Sequence, residues 1–211
     1  MNSCLFEKET LIQTKEEVKK YFKSDNVFLN DGATLLCSGN ITLGENITFS
    51  GNIILTEGVT VEQGSNLSNV TLDIENQIRP YSIISNVKAG KSNIFGPFCF
   101  IRDEVTVDDN CIIGAHVEIA RSLIHSNVKI SHHAFIGDAT IESNVIVGAN
   151  VIFCNFDGIK RQNSFISSGA LLGSATLIIS PIHVGINAII AAGSIINKNV
   201  LPDEKVIQKR S

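Results

Sequence analysis

The histidines are the residues of this chain whose type and spacing suggest chemistry. Two of the five are adjacent, His132 and His133, in the stretch SHHAFIGDA over 131–139. An imidazole with an ordinary pKa of about 6.5 accepts a proton at neutral pH, so a positioned histidine can act as a general base. The other three are His116, His125 and His183, and no two of the five have the H-x-x-x-x-H spacing that would supply two metal ligands from one turn of chain.

Charge and cysteine content exclude several classes of protein. The 211 residues have a formal net charge of −4, and no Lys/Arg cluster interleaves with aromatic residues, so we expect no nucleic-acid partner. Residues 1–24 contain no apolar run long enough for a signal peptide or a membrane span, so we expect a cytoplasmic chain with no membrane partner. Five cysteines without a C-x-x-C pair predict reduced, mostly buried thiols and no metal site.

The elements that position these residues follow from a repeat of six. A period of six fits neither a helix nor simple alternation, so each hexad is interpreted as one short strand plus a corner, where Gly, Asn and Asp supply positive φ. Three strands close a coil of about 18 residues, and about nine stacked coils would form a parallel β-helix that buries the aliphatic positions. The repeating positions are Leu43, Phe49, Leu55, Val61, Leu67, then Phe95, Ile101, Val107, Ile113, Ile119, then Ile166, Leu172, Ile178, Val184, Ile190 and Ile196.

The chain divides into three segments by this pattern. Residues 1–32 are predicted to form an N-terminal helix, near 14–23 with Thr14 and Glu17 in capping-box spacing, and a linker whose residues 24–32 form a connecting turn. Residues 33–198 form the β-helix domain, and 199–211 a C-terminal tail. Three interruptions are expected within the β-helix: five-residue steps at 119–124 and 136–141, and a loop over 154–165 that leaves the coil.

Five strings inside the repeat carry a resemblance to a known family. They are GPFCFIRD (96–103), HHAFIGDATI (132–141), VIFCNFDG (151–158), LLGSATL (171–177) and IIAAGSIINKNV (189–200). The repeat region resembles the C-terminal, acetyltransferase half of bacterial bifunctional N-acetylglucosamine-1-phosphate uridyltransferases. The resemblance implies a left-handed β-helix, acetyl-CoA as the donor, an amino sugar or amino-sugar phosphate as the acceptor, and a homotrimer with sites between subunits. No Gly-rich nucleotide-binding segment opens this chain, so uridylyl transfer is not expected.

The resemblance also assigns roles to individual residues. His132 is implied as the general base, pointing outward, with His133 at the adjacent corner. The chain departs from the family at three positions, where Ala120 replaces a lysine, Phe135 a tyrosine and Ile146 an asparagine, so we expect weaker binding of glucosamine-1-phosphate. The remaining implied contacts are Arg102, Phe135, Asn155, Phe156 and Arg161 for the acceptor, and Ser174, Ala192 and Lys209 for acetyl-CoA.

Three alternatives remain open from the sequence. A zinc-dependent carbonic-anhydrase-type enzyme on the same fold would hold its metal with three of the five histidines. A non-catalytic scaffold or regulatory subunit would fit the altered acceptor pocket, although it has no need for His132, Arg102, Asn155 and Ser174 together. An O-acetyltransferase would use the same base on a different acceptor.

Overall fold

The computed structural model describes residues 1–207 as a parallel β-helix of about ten turns with one short α-helix. The coil is left-handed, so the predicted fold class is confirmed. The elements are β1 Asn2–Ile12, α1 Lys15–Phe22, β2 Val27–Leu29, β3 Thr34–Leu43, β4 Ile47–Leu55, β5 Thr60–Val61, β6 Asn66–Leu72, β7 Gln77–Ile78, β8 Ile83–Ala89, β9 Ile94–Phe95, β10 Phe100–Arg102, β11 Val105–Val107, β12 Ile112–Ala115, β13 Glu118–Ala120, β14 Leu123–Ile124, β15 Lys129–His132, β16 Phe135–Gly137, β17 Ala139–Ile141, β18 Ile146–Val147, β19 Ile152–Cys154, β20 Ser164–Ile166, β21 Leu171–Leu172, β22 Leu177–Ile179, β23 His183–Val184, β24 Ile189–Ile190, β25 Ile195–Ile196 and β26 Lys205–Val206.

The predicted aliphatic ladder is the core. Its members stack in register from coil to coil, as where Ile101 pairs with Ile119 and Ile119 with Ile136, and each of these is fully buried. Burying one such side chain contributes about 1.5–3 kcal/mol, so the ladder is the main favourable term in holding the coils together. The five-residue steps at 119–124 and 136–141 lie one above the other, because Ile124 pairs with Ile141.

The expectation of only three interruptions is wrong. Two more five-residue steps lie at Leu67 to Leu72 and Ile84 to Ala89, and they too are stacked in register. The second of these steps is hard to detect in the sequence because it ends at Ala89, a residue smaller than the other members of the ladder. The structure nevertheless buries Ala89 at 5% exposure, like the larger aliphatics.

The ends of the β-helix differ from the sequence prediction. Residues 24–32 are not only a turn, since β2 pairs in parallel with β4. At the other end β26 pairs with β24, so strand pairing extends beyond 33–198 in both directions. The division into segments 1–32, 33–198 and 199–211 stays a prediction.

The N-terminal residues cover the first coil. Strand β1, which the sequence analysis missed, pairs antiparallel with β3 and so covers an otherwise open edge. Helix α1 begins at the predicted capping box, in which the Thr14 hydroxyl accepts a hydrogen bond from the backbone N–H of Glu17 at 3.2 Å. Its residues Val18 and Phe22 are buried, and the ring centroids of Phe22 and of Phe6 in β1 are 5.7 Å apart.

Three edges run along the β-helix where the chain turns from one strand to the next. Each has left-handed backbone, the conformation that favours glycine and asparagine. We name them by their residues: the asparagine edge (Asn110, Asn127, Asn144, Asn187), the aromatic edge (Tyr81, Phe98, His116, His133) and the charged edge (Asp103, Arg121, Asp138).

The outward residues between the edges form rows in register. The front row lies between the aromatic and charged edges, and the side row lies between the asparagine and aromatic edges. Both rows are largely apolar, so the aromatic edge separates two apolar faces. The front row is Ile83, Phe100, Glu118, Phe135, Ile152, Leu177 and Ile195; the side row is Ile94, Ile112, Lys129, Ile146, Leu171 and Ile189.

Candidate active site

His132 lies at the end of β15, immediately before the aromatic edge. Its side chain is exposed and makes no hydrogen bond within residues 1–207. In the coil before it, Ala115 is its register partner. The outward orientation expected for His132, and the corner position expected for His133 with φ 48°, are both observed.

Equivalent positions of the following coils bring the predicted donor residues onto the same line. The N–H of Asn150 donates to the His132 carbonyl at 3.2 Å, that of Ala175 to Ala149 at 2.7 Å, and that of Gly193 to Ser174 at 2.7 Å. Each bond joins equivalent turns of consecutive coils. We call the resulting line the His132 column: Ala115, His132, Ala149, Ser174 and Ala192.

The residues of the column differ in size. Apart from His132 itself its members are small, and Ser174 and Ala192 are exposed. With coils about 4.8 Å apart, Ser174 lies about 10 Å and Ala192 about 14 Å beyond His132. From His132 to Ala192 the column is therefore a line of small residues that begins at an exposed imidazole. Lys209, the third predicted donor contact, lies outside the described residues.

Arg102 lies on the far side of the front row from His132. Its Nη2 donates to Glu118 at 2.7 Å, its Nη1 donates to Asp103, and its guanidinium carbon is 5.3 Å from the Phe100 ring centroid. The hydrogen bond to Glu118 is the main cause that raises the pKa of Arg102. Ala120, which stands where the resemblance implies a lysine, pairs in register with Arg102 and is completely buried.

Phe135 lies in the same row as Phe100 and Glu118. It pairs in register with Glu118, and Ile152 follows it in the next coil. The front row thus joins Phe135 to the residues that surround Arg102. Gly137 is in register with Ala120 and hence with Arg102, and it lies four residues after His133, so about 13 Å of strand separates the aromatic edge from the Arg102 position.

A second arginine, missed by the sequence analysis, dominates the charged edge. Nε and Nη2 of Arg121 donate to the two oxygens of Asp138 at 2.8 and 3.0 Å, and Nη1 donates to Asp103 at 3.0 Å. Asn155 donates to the same Asp138 carboxylate. The spacing of 17 residues between Arg121 and Asp138, one coil, is the signal that could have revealed the pair.

Asp138 is the most buried carboxylate of this network, at 9% exposure. Burial acts to raise its pKa, but the hydrogen bonds from Arg121 and Asn155 and the charges of Arg121 and Arg161 outweigh burial and hold the pKa below its ordinary value. Gly137 leaves room for Asn155, because a Cβ there would lie 2.4 Å from the Asn155 amide nitrogen. Of the predicted acceptor residues, Asn155 therefore contacts Asp138 directly, and Arg161 acts on it through its charge.

The loop that leaves the coil is closed on itself. An isolated antiparallel bridge joins Phe156 to Arg161, both exposed. The Asp157 carboxylate accepts hydrogen bonds from the backbone of Ile159 and Lys160 at 2.8 Å and from Gln162 at 2.7 Å. The backbone bond from Lys160 is the main cause that lowers the pKa of Asp157 to about 2.

Two other histidines have partners that resemble parts of catalytic sites. Nδ1 of His125 lies 2.7 Å from an Asp108 oxygen, and Nε2 of His183 lies 2.9 Å from the Ser167 hydroxyl. Both lie away from the His132 column, and Ser167 is buried. Within residues 1–207 no three His, Cys, Asp or Glu side chains come together as a metal site, and no helix there is long and apolar enough to cross a bilayer.

No family model matches the chain. Over 176 residues it is 32% identical to the bifunctional protein GlmU of Janthinobacterium sp. (strain Marseille), and over 178 residues it is 34% identical to GlmU of Herminiimonas arsenicoxydans. These matches cover 83% and 84% of this chain.

This chain is a relative of the C-terminal part of the GlmU proteins. The resemblance drawn from the five strings is thus confirmed. The chain spans 39% of the length of those two relatives. A third, GlmU of Aquifex aeolicus, is 42% identical over 120 residues, which is 57% of this chain and 26% of that protein.

Solved structures agree on the fold. The UDP-N-acetylglucosamine acyltransferase from Campylobacter jejuni superposes with a TM-score of 0.50 at 15% identity, covering 85% of this chain and 68% of that one. At this identity the likeness concerns the fold alone.

Proposed function

We propose that this chain transfers the acetyl group of acetyl-CoA to the amine of an amino sugar or amino-sugar phosphate, with His132 as the general base. The observation that carries the proposal is the His132 column. Residues implied separately for base and donor contacts, His132, Ser174 and Ala192, are spread over 61 positions of sequence yet occupy equivalent places in successive coils.

The chemistry fits this arrangement. The acceptor amine attacks the thioester carbonyl, and the imidazole of His132 takes the proton that the nitrogen loses. The C–S bond then breaks, and the coenzyme thiolate leaves and receives a proton from the imidazolium. If acetyl-CoA binds along the small residues of the column, its thioester would point toward His132, because His132 is the large side chain at the end of that line.

The acceptor is proposed to lie along the front row toward Arg102. The guanidinium groups of Arg102 and Arg121 already form salt bridges with three carboxylates, those of Asp103, Glu118 and Asp138. A phosphate on the acceptor would compete with the Asp103 and Glu118 carboxylates for Arg102, and Ala120 offers no second cation beside it. We therefore expect neutral amino sugars, or sugar nucleotides that reach the loop cation Arg161, to compete with glucosamine-1-phosphate.

We propose further that the chain assembles as a homotrimer with this site between subunits. The front and side rows are apolar faces that meet at the aromatic edge, and a ring of three copies contacts each neighbour through two different faces. Sedimentation of the purified chain should give three times the chain mass. A monomer at micromolar concentration would contradict this assembly.

The function is tested by release of coenzyme A, followed by mass spectrometry so that the protein's own thiols do not interfere. Acceptors are glucosamine-1-phosphate, glucosamine and a UDP-linked amino sugar, with a reaction lacking acceptor as blank. His132→Ala should reduce turnover by about 10²–10⁴. The matched control is His125→Ala, whose ring lies elsewhere, bonded to Asp108.

Each outcome has a defined meaning. Turnover that depends on His132 and not on His125 supports the proposal. Full activity of His132→Ala would overturn the assignment of the base. Binding of neither acetyl-CoA nor any acceptor would favour the scaffold alternative, and acetylation of a hydroxyl in place of the amine would favour the O-acetyltransferase.

A further inference from the structure

The aromatic edge carries four stacked rings, one from each of four consecutive coils. Ring centroids are 5.5 Å apart for Tyr81 and Phe98, 5.2 Å for Phe98 and His116, and 4.8 Å for His116 and His133. The planes of successive rings differ by 8°, 4° and 22°. His133, the last ring of this stack, is the residue next to His132.

The backbone beneath these rings is unusual for such residues. Their φ values are 58°, 57°, 56° and 48° from Tyr81 to His133, whereas the asparagine edge meets the same need with asparagine. A bulky residue in this conformation costs about 1–2 kcal/mol, and each aromatic pair contributes about 0.5–1.5 kcal/mol beyond its burial. The three ring pairs therefore offset part of the cost of placing four rings where asparagine would be easier, and for His133 this contribution comes from its pair with His116.

The side chain of His132 needs a neighbouring group to orient it if it is to act as a base. A catalytic base is ordinarily oriented by a third group, and the His132 side chain has no hydrogen-bond partner within residues 1–207. What is fixed around it is backbone: the N–H of His133 donates to Ala115 at 2.9 Å, and the His132 carbonyl accepts from Asn150 at 3.2 Å. These main-chain bonds hold the corner but leave the imidazole free to rotate, and the fixed side chain next to His132 in the chain is the ring of His133, stacked on His116.

We propose that His133 is a positioning residue for His132, held in place by the ring of His116. This inference rests on the proposed function, because it assigns a second residue to the same reaction. His133 does not touch the reacting atoms in this scheme. The ring matters as a stacking surface, and its ability to exchange a proton does not.

Two variants of His133 separate stacking from other roles. His133→Phe keeps a stacking ring and removes proton exchange, and kcat should stay within about threefold of the wild type. His133→Asn accepts the left-handed backbone without a ring, and kcat should fall by about 10- to 100-fold with both KM values unchanged. His116→Asn, which removes the ring beneath His133, should also lower kcat, by less. Equal loss in the Phe and Asn variants, or wild-type kcat in His133→Asn, would overturn the inference.

A measurement independent of turnover completes the test. Histidines labelled with ¹³C at Cε1 give one NMR signal each, and the signal of His132 is identified by its loss in His132→Gln. Wild type and His133→Phe should give the same His132 signal, and His133→Asn a shifted or broadened one. An identical His132 signal in all three overturns the positioning role even if the enzyme is active. If no acceptor is acetylated while the signal responds as expected, the proposed function fails and the positioning of His132 stands.

Discussion

The His132 column makes a quantitative prediction about donor binding. Ala149 lies between His132 and Ser174, one coil from each, and is partly exposed. Ala149→Phe would place a ring across the path that the pantetheine arm is proposed to follow. If the ring keeps about 100 Å² of apolar arm surface in water, at about 25 cal/mol per Å², the loss is about 2.5 kcal/mol. This corresponds to about 60-fold weaker binding of acetyl-CoA.

The matched control lies in the same coil on a different edge. Ser143→Phe adds the same ring beside the asparagine edge, where Ser143 is likewise partly exposed and precedes Asn144. Titration calorimetry with acetyl-CoA and with coenzyme A should show the loss for Ala149→Phe alone. Unchanged affinity in Ala149→Phe, or an equal loss in Ser143→Phe, would refute the placement of the donor along the column.

Three further predictions concern the charged edge, the thiols and the core. Asp138→Asn removes the charge that bonds Arg121 and should lower the free energy of unfolding at pH 7 by about 1.5–3 kcal/mol. Because the folded pKa of Asp138 is held below its ordinary 3.8, this difference should be full above pH 3.8 and disappear as the pH falls through the lowered pKa; a difference that persists in acid would contradict the ion pair. Thiol titration of the native chain should modify Cys4 and Cys154 quickly and the other three cysteines, which are buried, only after unfolding. Asn76→Ala removes two donated bonds of 2.6 Å to backbone carbonyls inside the coil and should cost about 3 kcal/mol in urea unfolding; a loss under about 1 kcal/mol would show that water replaces the amide.

Much of the fold could be predicted because the repeat is local. The interior ladder, the capping box at Thr14 and the loop after Phe153 are each specified within a few neighbouring residues. What escaped prediction depends on distant pairing or on weak patterns. Strand β1 has only Phe6 and Ile12 buried among its 11 residues, so its pattern resembles an exposed segment until β3 is present beside it.

The candidate site divides in the same way. The sequence by itself determined the period of six, the outward position of His132 and, through the resemblance, which residues to compare. Only the tertiary structure decided which of them meet. A step of 17 residues between coils sets Arg121 against Asp138 and stacks His133 on His116, and the excursion of the loop brings Ser174 onto the line of His132. The physical reason is that coil length, not nearness in sequence, determines which outward side chains are neighbours, and coil length is the sum of steps of five and six along the whole turn.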